Sequence, residues 1–188
     1  MGLVYYCMLF NSLEFLLYFP IVFIVYSVIP AKTRKYWLLA ASYFFYMCWN
    51  PYYILLILFS TAATFAGGRW ISSLREKGAE EKLCKTVLWL VCGTNLLILG
   101  LFKYSTWFMD SLGSLLHREF VMPVSLVLPV GISFYTFQAL GYIIDVYRGE
   151  VEAEDSFVTY ALFVSFFPQL VAGTIERTGN LLGQIQKI

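Results

Sequence analysis

Two stretches place polar side chains where their surroundings are too apolar to want them. In LPVGISFYTFQALGYIIDVYRG, residues 128–149, these are Gln138, Asp145 and Arg148. In FVSFFPQLVAGTIERTGN, residues 163–180, they are Gln169, Glu176 and Arg177. Amides, a carboxylate and guanidinium groups can bind and orient a polar substrate, but they form no nucleophile–base pair. Read as a helix, about 22 residues at 1.5 Å each give roughly 33 Å, enough to cross a bilayer. Tyr135, Gln138, Gly141 or Tyr142, Asp145 and Arg148 then recur every three or four positions and share a face. That face must turn away from lipid, because a charge at bilayer depth costs about 2.5–3.5 kcal/mol even on lenient scales. Asp145 and Arg148, at i and i+3, are spaced to pair near one end. Two uses stay open for them: an ion pair fixing helix depth, or the lining of a substrate passage.

Pro168 removes a helical hydrogen bond inside an apolar run. Groups freed in lipid must be satisfied by protein or by cavity water, so the sequence predicts a proline kink or a broken, re-entrant backbone at 168–174. The single histidine, His117, lies in the polar string LLHREF beside Arg118 and Glu119 and reads as a solvated loop residue. Cys7, Cys48, Cys84 and Cys92 are scattered without a C-x-x-C pair, which argues for packed, reduced thiols and against a metal site or disulfide framework. Asn95 is placed to hydrogen-bond between helices, Asn11 and Glu14 to sit at an interface, and Lys103 to snorkel. G-x-S-x-G, P-loop and dinucleotide fingerprints are missing from the sequence.

The elements that must position these residues follow from composition. Of 188 residues, 60% are hydrophobic, 19% aromatic and 13% charged, with mean hydropathy +0.70. Soluble domains carry about twice that charge, so the chain reads as an all-α, polytopic integral membrane protein. No basic tract is interleaved with stacking aromatics, which excludes a nucleic-acid partner. The first apolar run lacks a basic leader and a small-residue cleavage site and is expected to stay as an anchor, with Met1 or Met8 as the start. Six hydrophobic segments are expected: 13–29, 36–49, 52–66, 86–102, 128–149 and 157–172. The second and third look short for full spans, and two readings stay open: extension by interfacial aromatics, or a hairpin that enters and returns. Lys32, Arg34 and Lys35 occupy one predicted loop; Arg69, Arg75, Lys77, Lys82 and Lys85 occupy the loop at 67–85. The positive-inside rule puts both on the cytoplasmic side and residues 103–125 outside, where a surface helix bearing Trp107, Phe108, Leu112, Leu115 and Leu116 is expected.

With LPVGISFYTFQALGYIIDVYRGEVEAEDSFVTYALFVSFFPQLVAGTIER laid out, the chain resembles the membrane-bound O-acyltransferase (MBOAT) family, in its bacterial alginate O-acetyltransferase-like branch. MLFNSLEFLLYFPIVFIVYSVIP, WLLAASYFFYMCWNPYY and LLILFSTAATFAGG carry the likeness across nearly the whole chain. It departs in having Thr174 where the family usually has proline, and Gly183 near another frequent proline. The resemblance implies that residues 1–188 are the N-terminal part of a membrane acyltransferase domain, with no soluble domain, in a bacterial inner membrane. It implies transfer of an acyl group, acetyl above all, from a cytoplasmic thioester (coenzyme A or a carrier protein) to hydroxyls of an extracytoplasmic polysaccharide such as alginate, or to an acyl-relay protein. No bound cofactor is implied. The family's histidine is expected beyond Ile188, leaving the chain alone inactive. Gln138, Asp145, Arg148, Gln169, Glu176 and Arg177 would then shape the tunnel and support the site. The competing expectations are a non-catalytic fragment or partner subunit, and a transporter component.

Overall fold

The computed structural model describes residues 12–48, 50–116, 131–172 and 178–188. All the regular structure among them is helical: α1 (Leu13–Val28), α2 (Ala31–Met47), a 3-10 turn (Pro51–Tyr53), α3 (Ile54–Glu76), α4 (Glu81–Leu116), α5 (Ile132–Arg148), α6 (Phe157–Ser165), α7 (Phe167–Ala172) and α8 (Thr178–Gln186). Two helical stretches, Pro51–Glu76 and Glu81–Tyr104, are long and apolar enough to cross a membrane; Leu13–Val28 and Phe157–Gln169 are shorter apolar pieces.

Local chemistry sets the boundaries. Ser12 caps α1 by accepting the Phe15 amide at 3.2 Å, and Asn50 caps the 3-10 turn through the Tyr52 amide at 3.0 Å. α3 and α5 both end in Schellman motifs. Gly78 (φ 66°) and Gly149 (φ 77°) take the left-handed position, while the Ala79 amide returns to the Leu74 carbonyl and the Glu150 amide to that of Asp145.

Several expectations change here. The basic segment 31–35 is the first turn of α2 and no loop, since Pro30 precedes it as the N-cap residue. The basic loop at 67–85 shrinks to four residues, because α3 continues to Glu76 and α4 begins at Glu81. α3 itself has 23 residues, about 34 Å of helix, and so is no short hairpin arm. The stretch after Lys103 is a direct continuation of α4 to Leu116, with no break to make a separate surface helix. His117 lies outside the described residues.

α5 is the hub, packed on α3, α4, α6, α7 and α8. Gly67 and Gly68 permit the tightest of these approaches: a Cβ on Gly67 would come within 2.8 Å of Ile143 and Val91, and one on Gly68 within 2.9 Å of the Tyr142 ring. α1 is the opposite case, with Leu13, Leu16, Leu17, Ile21, Phe23 and Ile24 exposed on a helix that buries little beyond Val22.

Polar contacts gather many helix ends at one end of the bundle. Lys35 Nζ donates to Thr159 at the start of α6 and to the Gln186 carbonyl at the end of α8. Arg69 pairs with Asp155, Arg75 donates to the Val146 and Tyr147 carbonyls that close α5, and Tyr147 donates to Glu81. Glu154 accepts from the Ser156 amide and from Gln186. The basic residues of 31–35 and 67–85 therefore share an end, as the charge pattern predicts. α6 leaves that end, and α8 returns to it.

Candidate functional site

The return of α8 makes the α6–α7 segment the element that carries polar groups into the bundle. Its helix breaks at Phe166 (φ −57°, ψ 107°), two residues ahead of Pro168. The reason is local: Pro168 has no amide for the Val164 carbonyl, and its ring crowds that carbonyl. Pro168 instead sits in the first turn of α7, where no amide is required. The Phe167 amide is satisfied from another helix, donating to Ser42 Oγ of α2 at 3.4 Å. The predicted break is thus present but lies just before 168, and residues 173–177 fall outside the described residues.

α7 brings Gln169 against α5, where its Nε2 donates to Gln138 Oε1 at 3.2 Å. Gln138 is 5% exposed, and its own Nε2 has no hydrogen-bond partner among the described residues. Three tyrosine hydroxyls are buried as well: those of Tyr46 on α2 and Tyr135 on α5, which face each other, and that of Tyr43 on α2, which faces Ser165 of α6. The Tyr46 and Tyr135 rings meet edge to face at 6.2 Å. Tyr135 lies one turn before Gln138 on the same face of α5, so Tyr46, Tyr135, Gln138 and Gln169 line one interior seam between α2, α5 and α7.

A buried donor left without a partner costs about 1–3 kcal/mol. The open Gln138 amide, with the Tyr135 phenol one turn away, marks a place where an oxygen-bearing group can be received. The set contains amides and phenols and no carboxylate, imidazole or thiol. It can hold a carbonyl or hydroxyl oxygen and orient it; it cannot by itself supply a nucleophile or a strong base.

The other predicted residues separate from this seam. Asp145 is half-buried in the last turn of α5, about 10 Å further along the helix than Gln138. Its expected partner is elsewhere: Arg148 is exposed and faces Glu150 at 3.8 Å, so no Asp145–Arg148 pair forms. The Schellman turn at Gly149 brings Glu150 back beside Arg148. Glu176 and Arg177 lie outside the described residues, as does Thr174. Asn95 does bridge helices, accepting from Ser60 at 2.6 Å. The described cysteines, Cys48, Cys84 and Cys92, are free thiols, and no cluster of metal-ligating side chains occurs among the described residues. Sequence reasoning missed Tyr43 and Tyr46: in SYFFYMCW every position reads as aromatic interface, and nothing marks which hydroxyls turn inward.

Comparison with known proteins adds what geometry does not. The chain is 39% identical over 183 residues to "Probable alginate O-acetylase AlgI" of Azotobacter vinelandii, covering 94% of this chain and 36% of that protein. It is 37% identical over 183 residues to the protein of that name in Pseudomonas aeruginosa, covering 94% and 34%. It is 30% identical over 213 residues to "Peptidoglycan O-acetyltransferase" of Helicobacter pylori, covering 96% and 39%. The chain thus spans little more than a third of the length of these relatives. No family model and no solved structure matches it.

Proposed function

From the premise that the chain belongs to the membrane-bound O-acyltransferase family, in its alginate O-acetylase-like branch, we propose that it is the N-terminal part of a membrane O-acetyltransferase acting on a cell-envelope polysaccharide. The observation that carries this reading is the similarity, 37–39% over 94% of the chain, to proteins named as alginate O-acetylases. On this reading the chain sits multi-pass in a bacterial inner membrane, with the end bearing Lys35, Arg69 and Arg75 in the cytoplasm. The α6–α7 and α8 pieces then form a re-entrant pair that enters from the cytoplasmic side and returns to it.

A donor thioester, coenzyme A or a carrier protein, is presented at the basic end, and an acceptor hydroxyl of alginate or a similar glycan, or of an acyl-relay protein, arrives from the opposite side. The acyl C–S bond breaks, an ester C–O bond forms, and the hydroxyl proton ends on the departing thiol. Gln138, with Tyr135 and Tyr46, donates to the oxygen of the acyl or acceptor group, and Gln169 holds Gln138 in place. Asp145 and Arg148 belong to the cytoplasmic mouth; Glu176 and Arg177 complete the set. The acid–base step is assigned to a histidine outside positions 1–188.

The test is complementation. The gene, taken to its natural stop codon, is expressed in an alginate-producing host that lacks its own O-acetylase, and ester content of the secreted polysaccharide is measured. Restored acetylation, retained in His117→Ala and absent when only residues 1–188 are made, is expected. Robust transfer by residues 1–188 that His117→Ala abolishes would overturn the assignment.

A further inference from the structure

An apolar cavity lies between α1, α2, α6, α7 and α8. It encloses about 290 Å³ and is lined by apolar side chains that include Val22, Leu38, Leu162, Phe167, Leu181 and Ile185. Among the described residues no Asp, Glu, Lys or Arg lines it, and the polar lining is Tyr26 and Gln184.

Among the described residues, charge appears at its basic end, on both sides of it. Arg34 lies over the ring of Tyr26 at 5.0 Å, with Nε donating to the Ile29 carbonyl. Lys35 donates to the Gln186 carbonyl at 3.3 Å, between the lining residues Ile185 and Ile188. Leu38, one turn further along α2, already belongs to the apolar wall. Lys32 is exposed in the turn before. None of Lys32, Arg34 and Lys35 has a carboxylate partner among the described residues, where the ion pairs are Arg69–Asp155 and Arg148–Glu150.

A greasy slot ending in cations that have no carboxylate partner has the shape and charge order of an anionic phospholipid. We propose that this groove is a binding site for one such lipid, its phosphate held by Arg34 and Lys35 and one acyl chain lying between α1, α6 and α8. A zwitterionic lipid offers the same chain but brings its own cation to the mouth, so the site discriminates by charge. A free phosphate lacks the chain that fills the slot. Basic residues beside a membrane surface attract anionic headgroups in general; the groove adds the second contact that makes the binding one lipid to one site. The proposal rests on the cavity and its charges and stands apart from the assigned acyl transfer.

The test is native mass spectrometry of the protein purified in mild detergent and titrated with phosphatidylglycerol or phosphatidylcholine of matched chains. One tightly held phosphatidylglycerol, favoured at least fivefold over phosphatidylcholine, is expected. Arg34→Gln with Lys35→Gln should remove that preference, and Leu181→Trp, which fills the slot, should lower retention of both lipids. Lys82→Gln with Lys85→Gln, basic residues at the same end but on α4, should change neither. Equal retention of the two lipids, or a preference that survives in the Arg34/Lys35 variant, would overturn the proposal. So would a disulfide-linked dimer formed through Gln184→Cys, which would show that another copy of the chain fills the groove.

Discussion

Two regions of the bundle bury polar side chains and treat them in opposite ways. Between α3, α4 and α6 every donor is used: Ser60 donates to Asn95, Asn95 to the Val91 carbonyl, Thr64 to the Ser60 carbonyl, and Tyr160 to Thr64 at 2.7 Å. Between α2, α5 and α7 the Gln138 amide nitrogen has no acceptor among the described residues, and the Tyr46 and Tyr135 hydroxyls have only each other. In an apolar surround an unmet donor is costly, so helices that needed these groups only as glue would have closed the bonds. The first region is built to hold itself together. The second leaves a donor over.

The hardest way to break the comparison is to damage the region that supports both. Gly68 lets α3 approach α5 at Tyr142, and the Tyr142 ring is itself clamped against Tyr160 with centroids 4.4 Å apart. A Cβ at 2.9 Å from that ring has nowhere to go, so Gly68→Val should cost about 2–3 kcal/mol, the upper range for overpacking. The expected result is a large fall in membrane accumulation and in melting temperature in detergent. A variant as stable as the parent would mean that α3 and α5 are not in this contact. Next in size is the closed network itself. Tyr160→Phe removes the hydroxyl that meets Thr64 and should cost about 1 kcal/mol, within the range for hydrogen bonds between membrane helices. Thermal unfolding measures it, and acetylation per folded molecule should stay unchanged. Loss of activity without loss of stability would move Tyr160 into the working site.

Much of this division was legible in the sequence, and the limits are physical. The expected segments at 13–29, 52–66, 86–102 and 157–172 coincide with apolar helices, and these, with the shared end of the basic residues and the burial of Gln138, follow from hydropathy, loop charge and a period of 3.6. Asn95 was legible for the same reason, as a polar residue alone in an apolar helix. The Asp145–Arg148 pair was misread because spacing permits a contact without requiring it; the left-handed turn at Gly149 supplies Glu150 as a nearer partner for Arg148. The break at Phe166 fell before Pro168 because a proline disrupts the helix on its N-terminal side, at the carbonyl four residues back. Tyr46 could not be singled out at all. Its role depends on α2 meeting α5 near their ends, a pairing of residues 46 and 135 that no local pattern encodes.

The smallest expected change in stability is the one that separates the two regions most sharply. Gln138→Leu deletes an amide that has one bond, to Gln169, and one open donor. Removing the open donor relieves a desolvation cost, and losing the bond to a half-buried Gln169 gives back a similar amount. Stability should therefore stay within about 0.5 kcal/mol of the parent, in the range of an exchange between compensating polar terms. The same swap at Asn95 takes away a partner that Ser60 needs and should lower the melting temperature. Activity should divide the other way. In the complementing host Gln138→Leu should reduce polysaccharide acetylation about tenfold, the size of one lost hydrogen bond of about 1.4 kcal/mol to a reacting group, while Gln138→Glu, which keeps the acceptor but not the donor, should do no better. If Gln138→Leu instead unfolds the protein, the open donor was never open, and the seam between α2, α5 and α7 is structural like its neighbour. If it neither unfolds the protein nor slows acetylation, the acyl oxygen is held elsewhere, and the seam loses its place as the site.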